Sequence, residues 1–196
     1  MKKLDVKKLS FVLKVMVLIV LVCNLIVLFF VPALAALRAE LQWEQRPFLP
    51  KGASSWDWLA YTVSLWNPFV WHMLAAFGDH VRYWLVLTLF LLICGICTAV
   101  ILWQAKRVLD TILEGEPFTL GNAGNLRRAA VCCFVISGAA LARLAWGFFY
   151  YRSIRPLLTY NALFVPVFLM AGLLCMVMSA LFRQAAELKA ENDLTI

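Results

Sequence analysis

Apolar residues in this chain collect into four long runs, with the charges gathered between them. Val15–Leu37, Tyr83–Trp103 and Ala162–Phe182 contain no Asp, Glu, Lys or Arg, and Ala129–Tyr151 contains Arg143 alone. A helix needs about 20 mainly apolar residues to cross a hydrocarbon core of roughly 30 Å. Each run has that length, which predicts an all-α, polytopic membrane protein: a bundle of four transmembrane helices over about 15–37, 83–103, 129–151 and 162–182. Little is left over for a second core, so residues 1–196 read as one membrane domain.

The segments between the runs are also patterned. After the first span, 38–82 holds five of the eight tryptophans, and Trp56–Gly78 is nearly as apolar as a span. Asn67-Pro68 breaks it, because Asn caps a helix well and Pro suits the first helical turn. Trp56, Trp58, Tyr61, Trp66, Trp71 and His72 favour the headgroup zone. The expectation is a pair of short interfacial helices in an exterior loop, with Asp79 capping the second span.

From Gln104 to Glu114, Ala105, Val108, Leu109, Ile112 and Leu113 recur at helical spacing, so the second helix runs on past its span. Gly115 is placed to end it, and Glu116-Pro117-Phe118 turns the chain. Thr119 is placed as the N-cap of the next helix, which opens through Asn122 towards Arg127 and Arg128. The fourth helix likewise continues through Arg183–Glu191, where Arg183 and Glu187 pair at i, i+4. Loop 104–128 and tail 183–196 are therefore expected to emerge side by side. In that packing Leu188, Leu194 and Ile196 cover Leu109, Ile112 and Phe118, and Glu187 or Glu191 lies near Arg127 or Arg128.

Charge then orients the chain. Lys2, Lys3, Lys7, Lys8 and Lys14 precede the first span; Lys106, Arg107, Arg127 and Arg128 lie between the second and third; Arg183 and Lys189 follow the fourth. These eleven stand against six on the other side: Arg38, Arg46, Lys51, Arg82, Arg152 and Arg155. The positive-inside rule places both termini in the cytoplasm. The net charge of +7 is thus accounted for by a membrane, and direct nucleic-acid binding is not expected. A composition 64% hydrophobic and 15% charged fits a membrane class and no soluble one. Ala33-Leu34-Ala35 after a basic, apolar start resembles a signal cleavage site, but about 17 apolar residues before Pro32 are long for a signal core. An uncleaved anchor is expected.

Gly115-Glu116-Pro117-Phe118-Thr119 with Asn122, Leu126 and Arg127, followed by Phe182-Arg183 and the ending Ala186-Glu187-Leu188-Lys189-Ala190-Glu191-Asn192-Asp193-Leu194-Thr195-Ile196, resembles an uncharacterised bacterial family. Its members are small four-span membrane proteins, YoaS-like, of a domain of unknown function, and a bacterial inner membrane is the expected location of this chain. The likeness runs from the second span to the C-terminus. It implies a partner, a small Xre/Cro-type helix-turn-helix regulator encoded nearby, and transfers no activity. Pro117, Phe118, Asn122, Arg127, Glu187, Glu191, Asp193, Leu194 and Ile196 are accordingly the candidate docking residues on the cytoplasmic face.

Residues that carry chemistry are few. Arg143 lies 15 residues beyond Arg128, about 22 Å at the helical rise, in the far third of the bilayer. A charge at the bilayer centre costs about 3 kcal/mol on insertion scales, and less where the side chain snorkels. Two readings stand: an anionic ligand or lipid contact with Trp56, Trp58, Asp57 and Asp79 around it, or a snorkelling arginine that pins the exterior segment. Partners on that side are Glu40, Glu44, Asp57 and Asp79. His72 and His80 have no spacing that demands a metal or acid/base site. All six cysteines fall within the spans, where the thiol acts as a small apolar group, and Cys94-Gly-Ile-Cys97 lacks the solvated setting a redox or metal pair needs. Ser137, Ser179 and Thr88 should bond back to their own helices or tie helices together, and Gly95/Ala99 and Gly138/Ala142 form small faces for close packing. The spans hold no carboxylate relay and no matched broken helices, which disfavours a secondary transporter. No nucleophile–base pair, metal set or phosphate loop is present, so neither an enzyme nor a cofactor is expected.

Overall fold

The computed structural model describes residues 3–43, 55–66, 79–151 and 160–193. Among them are five helices and no strand: α1 Lys3–Trp43, α2 Ser55–Leu65, α3 Asp79–Glu114, α4 Leu120–Tyr151 and α5 Tyr160–Asp193. The four long ones are each apolar and long enough to cross a membrane. They are also longer than a crossing requires. At about 1.5 Å per residue, even α4 with 32 residues reaches about 48 Å against a core of roughly 30 Å. The charged flanks that bound the apolar runs are turns of the same helices.

The chain divides into two compact units, 1–24 with 96–196, and 25–95. The first is a four-helix bundle, made from the start of α1, the second half of α3, and all of α4 and α5. Its core lies on α4, where Ala129, Ala130, Cys133, Ile136, Ser137 and Ala140 are buried at steps of three and four. One third of the α4 span is buried, against 17% or less for each of the others. Mostly small side chains on that face let neighbouring helices approach closely. The α4 span is consequently the least hydropathic of the four.

Two serine hydroxyls tie α5 to α4. Ser137 Oγ donates to the carbonyl of Val165 (2.9 Å), and Ser179 Oγ donates to that of Ala123 (2.7 Å). The ring of Phe134 fills the space over Gly172. Gly138 and Ala142, expected to form a close-packing face, are instead exposed, and a Cβ on Gly138 would meet nothing within 4 Å. Small residues do bring the helices together, but they are Gly172 and the alanines of the α4 core.

In the second unit, two indoles fasten neighbouring segments to α1. Trp84 Nε1 donates to the carbonyl of Pro32 (3.0 Å), and Trp66 Nε1 to that of Phe29 (3.0 Å). The Trp66 ring also stacks on Phe29, with centroids 6.4 Å apart. Thr88 Oγ1 bonds back to Trp84 of its own helix, at 2.8 Å. The first of the two short helices expected after the first span is α2; the second, over 67–78, lies outside the described residues. Pro32 and Pro166 both sit inside continuous helices.

Candidate functional site

The turn between α3 and α4 is built from its sequence almost residue by residue. Gly115 has φ +93°, a left-handed conformation that costs a side-chain-bearing residue about 1–2 kcal/mol. Around it, Gly115 N–H donates to the carbonyl of Ile112 (3.2 Å) and Glu116 N–H to that of Thr111 (3.0 Å). This paired arrangement satisfies the last carbonyls of α3. Thr119 then caps α4, its Oγ1 accepting from the backbone N–H of Asn122 at 3.2 Å.

Asn122 closes the turn from inside. Its side chain is fully buried. Nδ2 donates to Thr111 Oγ1 (2.6 Å) and to the carbonyl of Pro117 (2.8 Å), while Thr111 Oγ1 donates onward to the carbonyl of Val108 (2.8 Å). A buried amide that bonds both the outgoing helix and the loop fixes the angle between α3 and α4. The unit therefore presents a rigid turn.

Around this turn the helix ends form a charged stub. Beyond the apolar runs, α3 continues for about 16 Å and α5 for about 16 Å. Lys14 on α1 pairs with Asp110 on α3 at 2.6 Å, and Lys106 backs the same carboxylate at 3.9 Å. Lys189 contacts Glu116, which ties the end of α5 to the turn. Arg183 Nε donates to Glu187 Oε1 at 2.8 Å, as the i, i+4 spacing predicts. Phe118 leaves the turn and packs on Phe182, with ring centroids 5.4 Å apart.

Between α4 and α5 at this end lies an open cleft of about 520 Å³. Ala123, Gly124, Ser179 and Ala180 line it, with Leu120, Met176, Arg127, Arg183 and Glu187. Small side chains where the helices meet leave this volume, and the Ser179–Ala123 hydrogen bond already satisfies the polar group there.

Most of the candidate docking residues thus belong to one end of one unit. Pro117 and Phe118 form the turn, and Phe118 is 48% exposed. Arg127 and Glu187 both line the cleft, and the carboxylate of Glu187 pairs with Arg183. Glu191 is exposed on the last turns of α5. Asn122 is buried and holds the turn, leaving its amide inside the protein. Asp193 ends α5, and Leu194 and Ile196 lie outside the described residues. The expected cover of the turn by Leu188 does not form: Leu188 is 66% exposed, and Phe182 occupies the place beside Phe118.

The candidate ligand residues are divided between the two units. Arg143 is half-buried on α4 and its side chain is not free. Trp56 and Asp57 are exposed in the first turn of α2, Trp58 follows them on α2, and Asp79 begins α3. Arg143 belongs to the first compact unit and the other four to the second. All six cysteines are free thiols, and no group of metal-holding side chains occurs among the described residues.

Sequence reasoning missed the Lys14–Asp110 pair and the cleft. A signal existed for the first: Asp110 is the only acidic residue among the first seven that follow Trp103, facing a chain rich in lysine. The cleft had none, because it arises from the register of two helices.

Four apolar helices with a structured polar end define a multi-pass membrane protein built on a four-helix bundle. Within that class the chain belongs to the DUF2975 family, described as proteins of unknown function, whose model matches residues 7–196. No curated protein and no solved structure matches it.

Proposed function

We propose that this protein is a non-enzymatic, membrane-anchored accessory or regulatory protein that docks a soluble partner on the stub around Gly115–Leu120. The stub and both termini face the cytoplasm of a bacterium, in line with the excess of Lys and Arg on that side. The partner is the small helix-turn-helix regulator that the family resemblance implies. The observation that carries the reading is the contrast within the turn. Its backbone is locked by Gly115, Thr119 and Asn122, yet Phe118, Leu120 and Leu188 stand exposed around it. Rigid presentation of exposed apolar side chains within a polar rim is how docking surfaces are made.

Co-purification from detergent with the regulator tests the proposal. Retention should fall when residues after Glu187 are deleted and when Phe118 is changed to Ser. A regulator that is not retained by the intact protein, or is retained equally by both variants, sinks the reading.

A further inference from the structure

The two serine hydrogen bonds between α4 and α5 fix how these helices lie against each other. Ala123 and Ser137 are fourteen residues apart on α4, and their partners Ser179 and Val165 are fourteen apart on α5. The helices therefore run antiparallel in constant register. Counting from these bonds, Arg127 and Arg128 come level with Cys175 and Leu174. Counting from the Asn122–Thr111 bond, Lys106 comes level with Arg127, and Arg107 with Leu126.

That register defines a border. Lys106 and Arg107 both lie over the ring of Trp103, at 5.1 and 6.0 Å from its centroid. With Arg127 and Arg128 they form the basic and aromatic belt that marks the edge of the hydrocarbon. From Arg127 to Arg143 is about 24 Å at the helical rise, which leaves Arg143 within snorkelling distance of the opposite edge of a core roughly 30 Å thick.

Helix α5 does not respect this border. Level with the belt it carries Leu174, Cys175 and Met176, and its first charge, Arg183, comes two turns further out. The offset between Arg127 and Arg183 is about 12 Å, somewhat more than the roughly 5–8 Å depth of one headgroup layer. Exposed Val177 consequently stands at headgroup depth rather than among acyl chains, and exposed Leu181 at the outer limit of that layer. The cleft lies here, with Met176 and Ala180 apolar, Arg127 at its deep end and Arg183 at its outer end.

We infer that this cleft binds the phosphodiester headgroup of an anionic phospholipid from the leaflet nearest the turn. The phosphate bridges Arg127 and Arg183, and one acyl chain runs along Met176. Among the described residues Arg127 has no carboxylate partner. Arg183 spends Nε on Glu187, and a guanidinium has further N–H donors in the same plane. Basic clefts between transmembrane helices at this depth recognise phospholipid headgroups. Glu187 is the built-in competitor, since it holds Arg183 by an exposed pair that an anionic phosphate can displace. The inference concerns the lipid-facing side of the stub and stands whether or not a soluble partner docks on its tip.

Native mass spectrometry of the purified protein tests it, with phosphatidylglycerol and phosphatidylcholine as probes and inorganic phosphate as competitor. Wild-type protein should retain phosphatidylglycerol over phosphatidylcholine. Arg127→Gln and Arg183→Gln should each lower that retention roughly fivefold, as expected for about 1 kcal/mol per basic residue at a membrane surface. Arg128→Gln, at the same depth but outside the cleft, should change it less than about twofold. Glu187→Gln should raise retention, a gain that misfolding cannot mimic. Equal retention of the two lipids, an Arg128→Gln effect as large as that of Arg127→Gln, or displacement of the lipid by inorganic phosphate would each overturn the inference. No soluble partner is present in this experiment, so its failure leaves the docking proposal intact.

Discussion

Asn122 Nδ2 lies 2.6 Å from Thr111 Oγ1, and this single hydrogen bond joins the end of α3 to the start of α4. It is one of a chain that runs from Pro117 through Asn122 and Thr111 to Val108, all within the polar end of the bundle. Asn122→Ala removes two of these bonds and should cost about 2 kcal/mol, at roughly 1 kcal/mol each. The loss is moderated because Asn122 Oδ1 is buried without a hydrogen-bond partner, and the substitution removes that burden as well. Thermal unfolding in detergent, comparing Asn122→Ala, Thr111→Val and the double variant, checks the coupling. The two effects should be less than additive; strict additivity would show that the bond does not form.

Gly115→Ala should destabilise the same turn by about 1 kcal/mol. Space is not the reason, since a Cβ there meets nothing within 4 Å. The cost is backbone strain at φ +93°. Gly124→Ala supplies the contrast: it also meets nothing but lies within α4 and has no left-handed backbone, so it should be neutral or slightly stabilising. Equal melting temperatures for the two variants would contradict the strained turn.

Gly172 and Gly138 make a second contrasting pair, this time in packing. A Cβ on Gly172 would come within 2.8 Å of the Phe134 ring, whereas one on Gly138 meets open space. Gly172→Ala should therefore cost about 1–3 kcal/mol through overpacking, and Gly138→Ala should be near neutral. Phe134→Leu in the Gly172→Ala background should recover part of the loss. Unfolding midpoints of the four proteins decide it.

Asp110 is held between two lysines, Lys14 at 2.6 Å and Lys106 at 3.9 Å, with each side chain about one third exposed or less. Asp110→Asn leaves two cations facing each other, while Lys14→Met leaves Asp110 with Lys106 still beside it. The first should therefore be the more damaging, by up to about 1 kcal/mol once partial solvent screening is allowed for. Added salt should narrow the gap between them. A larger loss for Lys14→Met would mean that its aliphatic stem, rather than its charge, holds α1 to α3.

How much of this was readable beforehand follows the range of each interaction. The four long apolar helices, the Gly115 stop, the Thr119 cap and the Arg183–Glu187 pair are local in sequence, set by apolar run length, left-handed backbone and i, i+4 spacing, and the structure contains each of them. Asn122 stands within a recognisable motif, but its burial depends on Thr111, eleven residues away across a turn. The cleft depends on Ser179 meeting Ala123 across 56 residues, a register that hydropathy cannot carry because any sliding of α5 leaves its apolar pattern intact. For the same reason Gly138 and Gly172 look alike in the sequence and differ in the fold.

The basic belt at Lys106, Arg107, Arg127 and Arg128 makes topology the most direct remaining test. With four crossings, reporters fused after Gly52, Gly121 and Ile196 should read outside, inside and inside. Were Trp56–Gly78 a fifth crossing, Gly121 would change side and carry all four cations outward, against the positive-inside rule. Charge reversal sharpens the test. Converting Arg127 and Arg128 to Glu should leave the Gly52 reporter outside, because the lysines before Val15 orient the first helix by themselves, but should raise the fraction of chains misinserted at Gly121. An exterior reading at Gly121 in the wild-type chain would overturn the four-span topology and remove the leaflet on which the Arg127–Arg183 lipid site depends.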